Sequence, residues 1–110
     1  MPTPPVKVLL VEDSPIARDI LQRLLASAPE IELVGVASSG REALSLIPKV
    51  EPAVICTDFY MKGMDGLELA RQIMALYPRP ILAISVAVGA DDDQIVGQLL
   101  QAGVLDVFPK

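Results

Sequence analysis

The sequence predicts a doubly wound α/β sandwich built on a parallel sheet. Three observations lead there. Five short runs rich in Val, Ile and Leu alternate with four longer segments whose apolar residues recur at three- and four-residue steps. Several of the short runs are almost unbroken apolar stretches, as strands covered on both faces are. The 110 residues, 52% of them hydrophobic, suffice for one core and are too few for two domains.

Each element can be justified in turn. The first strand, Val6 to Val11, runs into Glu12-Asp13. Ser14 offers a capping oxygen, and Pro15 falls at the first helical position, where its missing N–H costs nothing. The helix that follows carries Ile16, Ala17, Ile20, Leu21, Leu24, Leu25 and Ala28. A second strand spans Ile31 to Ala37. A second helix covers about 40–50, with Ala43, Leu44 and Ile47 inward. The third strand, Ala53 to Thr57, leads into Asp58, and a helix over about 66–77 turns Leu67, Ala70, Ile73 and Met74 inward. The fourth strand runs from Pro80 to Ser85. Asp91-Asp92-Asp93 precede a fourth helix with Ile95, Val96, Leu99 and Leu100, ending near Gly103, a residue suited to the left-handed position after a helix. The last strand is Leu105 to Phe108, just before Lys110.

Composition removes several function classes. No apolar run approaches the roughly 20 residues that span a bilayer, so no membrane association is expected. Met1 to Pro5 has neither a basic region nor an apolar core to direct export. Cys56 is the single cysteine, which excludes an internal disulfide and suits a reducing cytoplasm. The absence of histidine removes His-based acid/base catalysis and His-ligated metals. A net charge of −5 without a basic cluster argues against direct nucleic-acid binding.

In open parallel sheets, ligands bind at the carboxyl ends of the strands where strand order reverses. The flavodoxin-like order 2-1-3-4-5, taken by analogy, makes the first and third strands neighbours about 5 Å apart. Asp13 and Asp58 then lie side by side with Glu12 close by. Clustered carboxylates require a proton or a cation. Hard oxygen donors without His or Cys favour Mg²⁺. Lys110 supplies a positive charge and Ser85 a hydroxyl, both suited to a phosphoryl group, so the set reads as phosphoryl transfer to a carboxylate. Singly, each feature is ordinary. Glu12-Asp13 alone would be an acidic turn at a helix start, Asp58 a cap, Ser85 a strand end and Lys110 a surface lysine. Their joint occurrence at the correct strand ends outweighs those readings. Asp91-Asp92-Asp93 is helix-cap charge, Cys56 a small buried apolar group, and Met61 and Met64 pack a loop.

Val8-Leu9-Leu10-Val11-Glu12-Asp13-Ser14, Asp58 with Met61-Lys62-Gly63-Met64-Asp65-Gly66-Leu67, Ile84-Ser85, and Ala102-Gly103-Val104-Leu105-Asp106-Val107-Phe108-Pro109-Lys110 resemble the receiver domain of bacterial two-component response regulators. The resemblance covers essentially the whole chain. It implies that Asp58 accepts a phosphoryl group from a histidine kinase. It further implies that Asp13, Asp58 and the backbone carbonyl of Tyr60 bind Mg²⁺ with Glu12 acting through water, and that Ser85 and Lys110 contact the phosphate. Such a domain acts as a switch read by an output domain or a partner protein. Within the family, Glu12-Asp13-Ser14, Met64-Asp65-Gly66-Leu67-Glu68, Ser85 and Gly103-Val104-Leu105-Asp106 are most similar to receivers of chemotaxis protein-glutamate methylesterases. None of that esterase's catalytic residues lies in the 110 residues, so the chain offers no catalysis beyond its own phosphorylation and dephosphorylation; methylesterase activity would belong to a longer protein.

Four positions depart from the family pattern. The usual proline four residues after the acceptor is Lys62, which predicts a looser loop. The small residue expected after Ser85 is Val86. Tyr60 is bulky enough to shield an acyl phosphate. The switch aromatic is displaced from Val107 to Phe108.

The rival readings are weaker. An aspartate-nucleophile phosphatase needs a second aspartate where Tyr60 stands. A pseudo-receiver would lack the acidic pair, the acceptor or the lysine. A receiver of a DNA-binding regulator and a stand-alone receiver stay open. Residues 1–110 are expected to be a receiver truncated before a fifth helix, because right-handed crossovers put the first helix alone on one sheet face. That bare face would also permit a dimer.

Overall fold

The computed structural model describes residues 4–85 and 93–109. The elements are β1 (Val6–Val11), α1 (Pro15–Ala26), β2 (Ile31–Ala37), α2 (Gly40–Val50), β3 (Val54–Asp58), α3 (Gly66–Leu76), β4 (Ile81–Ser85), α4 (Asp93–Gln101) and β5 (Asp106–Pro109). The strands form one sheet in the order β2-β1-β3-β4-β5, and every adjacent pair is parallel. The expected flavodoxin-like architecture is therefore present, with four helices and with strand limits moved by a residue. β3 reaches Asp58 instead of stopping at Thr57, because Asp58 still pairs with Ile84 of β4. The β1–β2 ladder is irregular: Val8 lies opposite Leu33 and Leu9 opposite Gly35, so Val34 is an extra residue in β2.

Local chemistry fixes the helix ends. Ser14 accepts from the Ala17 N–H, Ser39 from Glu42 and Asp65 from Glu68, each satisfying an otherwise unpaired donor of the first turn. Glu42 also reaches back to the Ser38 N–H at 2.9 Å, in the manner of a capping box. Gly103 has φ +106, and the Gly103 and Val104 N–H groups return to the carbonyls of Leu100 and Leu99. This is the Schellman arrangement, closed by the buried pair Leu99 and Val104.

The two faces of the sheet are unequally covered. On one, Leu9, Val11, Ile55, Ile81 and Ala83 pack with Ala43 and Ile47 of α2, Leu69, Ala70 and Ile73 of α3, and Leu99 of α4. On the other, only Val8, Leu10 and Cys56 of that cluster are buried, and Ile31, Leu33, Val36, Val54 and Ile84 are partly covered. Leu21 and Leu25 of α1 pack there. Ile16, Ile20 and Leu24, at four-residue spacing on the same helix, are 76%, 53% and 62% exposed, so α1 carries two apolar stripes and seats one of them on the sheet. In α3, the expected Ala70 and Ile73 are buried, Leu67 and Met74 are partly buried, and Leu69 is buried in addition; in α4 Leu100 faces solvent. Among the described residues no helix is long and apolar enough to cross a membrane.

Candidate functional site: an acidic cluster at the strand ends

β1 and β3 are adjacent, with Val11 opposite Thr57. Glu12 and Asp58 are the next residues, so they sit side by side at the carboxyl edge of the sheet, Glu12 just past β1 and Asp58 as the last residue of β3. Glu12 is fully buried, Asp58 is 7% exposed and Asp13 is half-buried. One carboxylate oxygen from each can be chosen so that all three lie within 4.8 Å of one another. Three anionic oxygens at that spacing repel strongly unless a cation or proton intervenes. The donor set is all oxygen, as a hard divalent cation requires.

The backbone holds the cluster from several sides. Glu12 donates its N–H to the Ala37 carbonyl at 3.0 Å, and its own carbonyl accepts from Arg18 Nη1 at 3.1 Å, tying α1 to the end of β1. Phe59 donates to the Ile84 carbonyl, and its carbonyl accepts the Gly66 N–H at 2.7 Å, so α3 begins directly against the end of β3. A Cβ on Gly66 would lie 2.6 Å from the Asp58 carbonyl oxygen, a contact only glycine avoids. Asp13 Oδ2 accepts the Lys62 N–H at 3.0 Å. Thus the loop that the missing proline predicted to be looser is tied to β1's end through the amide a proline would lack. Asp13, alone of the three carboxylates, lines an open cleft of about 420 Å³ together with Phe59, Tyr60, Met61, Lys62, Gly63 and Asp65. Tyr60 is half-exposed, its ring edge-on to Phe59 with centroids 4.7 Å apart.

Cys56 sits two residues before Asp58. Burial, and secondarily the Glu12 carboxylate, push its thiol up from 9.0 to about 11. It is a buried apolar group, as expected.

Of the residues expected from sequence, the structure gathers Glu12, Asp13 and Asp58, and Tyr60 lines the cleft with Asp13. Ser85 ends β4, one position beyond the Ile84 that pairs with Asp58; its side chain, Val86, the start of the acidic run at Asp91-Asp92, the Phe108 side chain and Lys110 lie outside the described residues. Val107 is in β5 and half-buried, opposite Ala83. Reasoning from sequence missed Arg18 and the Lys62 amide. The non-proline residue at position 62 was the available signal for the second.

A five-stranded parallel sheet carrying an acidic trio at the carboxyl ends of adjacent inner strands defines a receiver-type α/β domain. The chain belongs to the response regulator receiver domain family, which residues 8–110 match. It is 42% identical over 105 residues to a protein-glutamate methylesterase/protein-glutamine glutaminase of Syntrophus aciditrophicus, covering 96% of this chain and 30% of that protein. A protein of the same name from Methanococcus maripaludis is 41% identical, covering 96% and 28%. The chain therefore spans about three-tenths of the length of these relatives. Among solved structures, the response regulator domain of Thermotoga maritima CheB superposes with a TM-score of 0.87 at 30% identity, covering 96% of this chain and 78% of that one. The receiver domain of the putative response regulator NarL from Mycobacterium tuberculosis gives 0.87 at 31% identity, covering 97% and 85%.

Proposed function

We propose that this chain is a phosphorylation switch in which Asp58 accepts a phosphoryl group from a histidine kinase. The observation that carries the reading is the gathering of Glu12 and Asp13 around Asp58 at the open end of the sheet. A carboxylate oxygen of Asp58 attacks phosphorus, a P–O bond forms, and the P–N bond to the kinase imidazole breaks with its electrons leaving to nitrogen. Asp13, Asp58, the Tyr60 carbonyl and, through water, Glu12 would hold Mg²⁺, and the all-oxygen donor set supports that fit. When bound, that ion neutralises the carboxylates and the charge on the phosphoryl oxygens. Ser85 and Lys110 complete the reading as phosphate contacts, with Val107 and Phe108 at the switch position. The added charge of about −1.5 to −2 biases two arrangements of the surrounding loops.

The methylesterase relatives support an output domain of that class, in a cytoplasmic chemotaxis protein longer than this chain. A fifth helix beyond Lys110 fits the same view: the sheet face that holds α1 leaves Ile31, Leu33, Val54 and Ile84 partly covered. Without it, the same face suits a dimer.

Acetyl phosphate with Mg²⁺ should add one phosphoryl group to the chain, read by intact mass, and Asp58→Asn should abolish it. Equal labelling of the Asn variant would remove Asp58 as the acceptor.

A further inference from the structure

We propose that the backbone amide of Lys62 is a positioning group for the acidic site, holding the Asp13 carboxylate in the orientation that binds a divalent cation. The Lys62 N–H donates to Asp13 Oδ2 at 3.0 Å across 49 positions of sequence. It joins the loop after β1, which carries Glu12 and Asp13, to the loop that follows Asp58 between β3 and α3. Both partners line the same cleft. An N–H aimed at a carboxylate is a charge-assisted bond, about twice as strong as a neutral one. Here it also offsets the repulsion that the neighbouring Glu12 and Asp58 exert on Asp13. A carboxylate has two oxygens, so a bond to Oδ2 restrains the group while leaving Oδ1 for a cation. Gly63, next in the chain, has φ +78, the left-handed conformation that turns the loop immediately after the donating amide.

The position makes a sharp test possible. Proline has no N–H, so a chain with proline at 62, as its family resemblance leads one to expect, cannot form this bond. The contribution is from main chain, so the lysine side chain is dispensable for it. The inference rests on the metal site proposed above.

Two measurements test it on the chain as it stands. First, amide hydrogen exchange in metal-free protein: the Lys62 amide should exchange at least about tenfold more slowly than in Asp13→Ala. An Asp13→Ala rate equal to the wild-type rate overturns the inference, whatever the proline variant does. Second, Mg²⁺ titration by calorimetry: Lys62→Pro should bind about tenfold more weakly, the scale of losing a group that orients a metal ligand, while Lys62→Ala stays within about twofold of wild type. Far-UV circular dichroism and a thermal melt establish that Lys62→Pro is folded. Equal affinity in the folded Pro variant refutes the role, and so does an equal loss in Pro and Ala, which would place the effect in the ammonium group. Failure of the wild-type chain to bind Mg²⁺ removes the metal site and this inference with it, whereas tight binding with an unprotected Lys62 amide removes this inference alone.

Discussion

Replacing Gly66 by alanine should damage both stability and the site. Gly66 opens α3 right after its cap Asp65. An added Cβ would sit 2.6 Å from the Asp58 carbonyl oxygen and 2.8 Å from the Phe59 Cα. Both neighbours are main chain, so no side-chain rotation relieves the contact. The first distance is about 0.8 Å short of the 3.4 Å at which ordinary contact begins. The start of α3 and the end of β3 must separate, and the 2.7 Å bond from the Gly66 N–H to the Phe59 carbonyl stretches with them. Overpacking of this kind costs about 1–3 kcal/mol. Alanine's better helix propensity returns at most about 1 kcal/mol. The melting temperature should therefore fall, by up to about 15 °C. Asp58 moves with its carbonyl, and a displacement near 1 Å costs on the order of 10²-fold in a positioned reaction, so labelling by acetyl phosphate should slow at least about tenfold. Gly97→Ala is the matched control. A Cβ there meets nothing within 4 Å, and the residue lies inside α4, so the variant should gain about 0.5–1 kcal/mol and label normally. Thermal melts and intact-mass labelling of both variants decide the matter. Gly66→Ala that melts and labels like the parent would refute the close approach.

Four further outcomes follow from other parts of the molecule. At pH 8 the raised Cys56 thiol should react with a disulfide reagent about 100-fold more slowly than its thiolate fraction in unfolded chain allows, read by absorbance with and without denaturant. Because the folded value lies above 9.0, the stability linked to the protonated thiol is fully present below pH 9 and lost between about pH 9 and 11, and Cys56→Ala should flatten that part of a melting-temperature profile. Tyr60→Asn should shorten the acyl-phosphate half-life severalfold, measured by loss of phosphorylated mass, because the half-exposed ring flanks the cleft; an unchanged or longer half-life would deny it a shielding role. A chain extended past Lys110 through one more helix should melt several degrees higher than the 110-residue form or lose any self-association seen by sedimentation.

The acidic cluster was legible because its parts are tied to strand ends, and strand ends follow from apolar runs. Asp13 and Asp58 could be placed side by side as soon as β1 and β3 were taken as neighbours. That neighbour relation came by analogy, since alternation of strands and helices fixes direction but not order. Helix faces were harder to read. In α1 the residues Ile16, Ile20 and Leu24 satisfy the same periodicity as Leu21 and Leu25, and periodicity alone does not say which stripe meets the sheet. Leu69 was missed in α3 because Leu67, Ala70 and Met74 already satisfied the pattern. The hydrogen bonds of Arg18 and Lys62 were beyond reach for a different reason: each uses a main-chain carbonyl or amide, and such groups leave no mark on residue type except where proline is absent.

The extra Val34 in β2 bears on how this gene can change. Losing one codon inside a strand ordinarily turns everything beyond it inside out, because successive side chains alternate between faces. Here Ile31, Leu33 and Val36 pack on one face, a set that unbroken alternation forbids. With codon 34 removed, Leu33 would be followed directly by Gly35, and Gly35, Val36 and Ala37 would stay opposite Leu9, Leu10 and Val11. The interruption would close into a regular ladder and every neighbouring side chain would keep its face. β2 is thus a strand with a spare position, where an in-frame deletion of one residue is the mildest length change the sheet can receive.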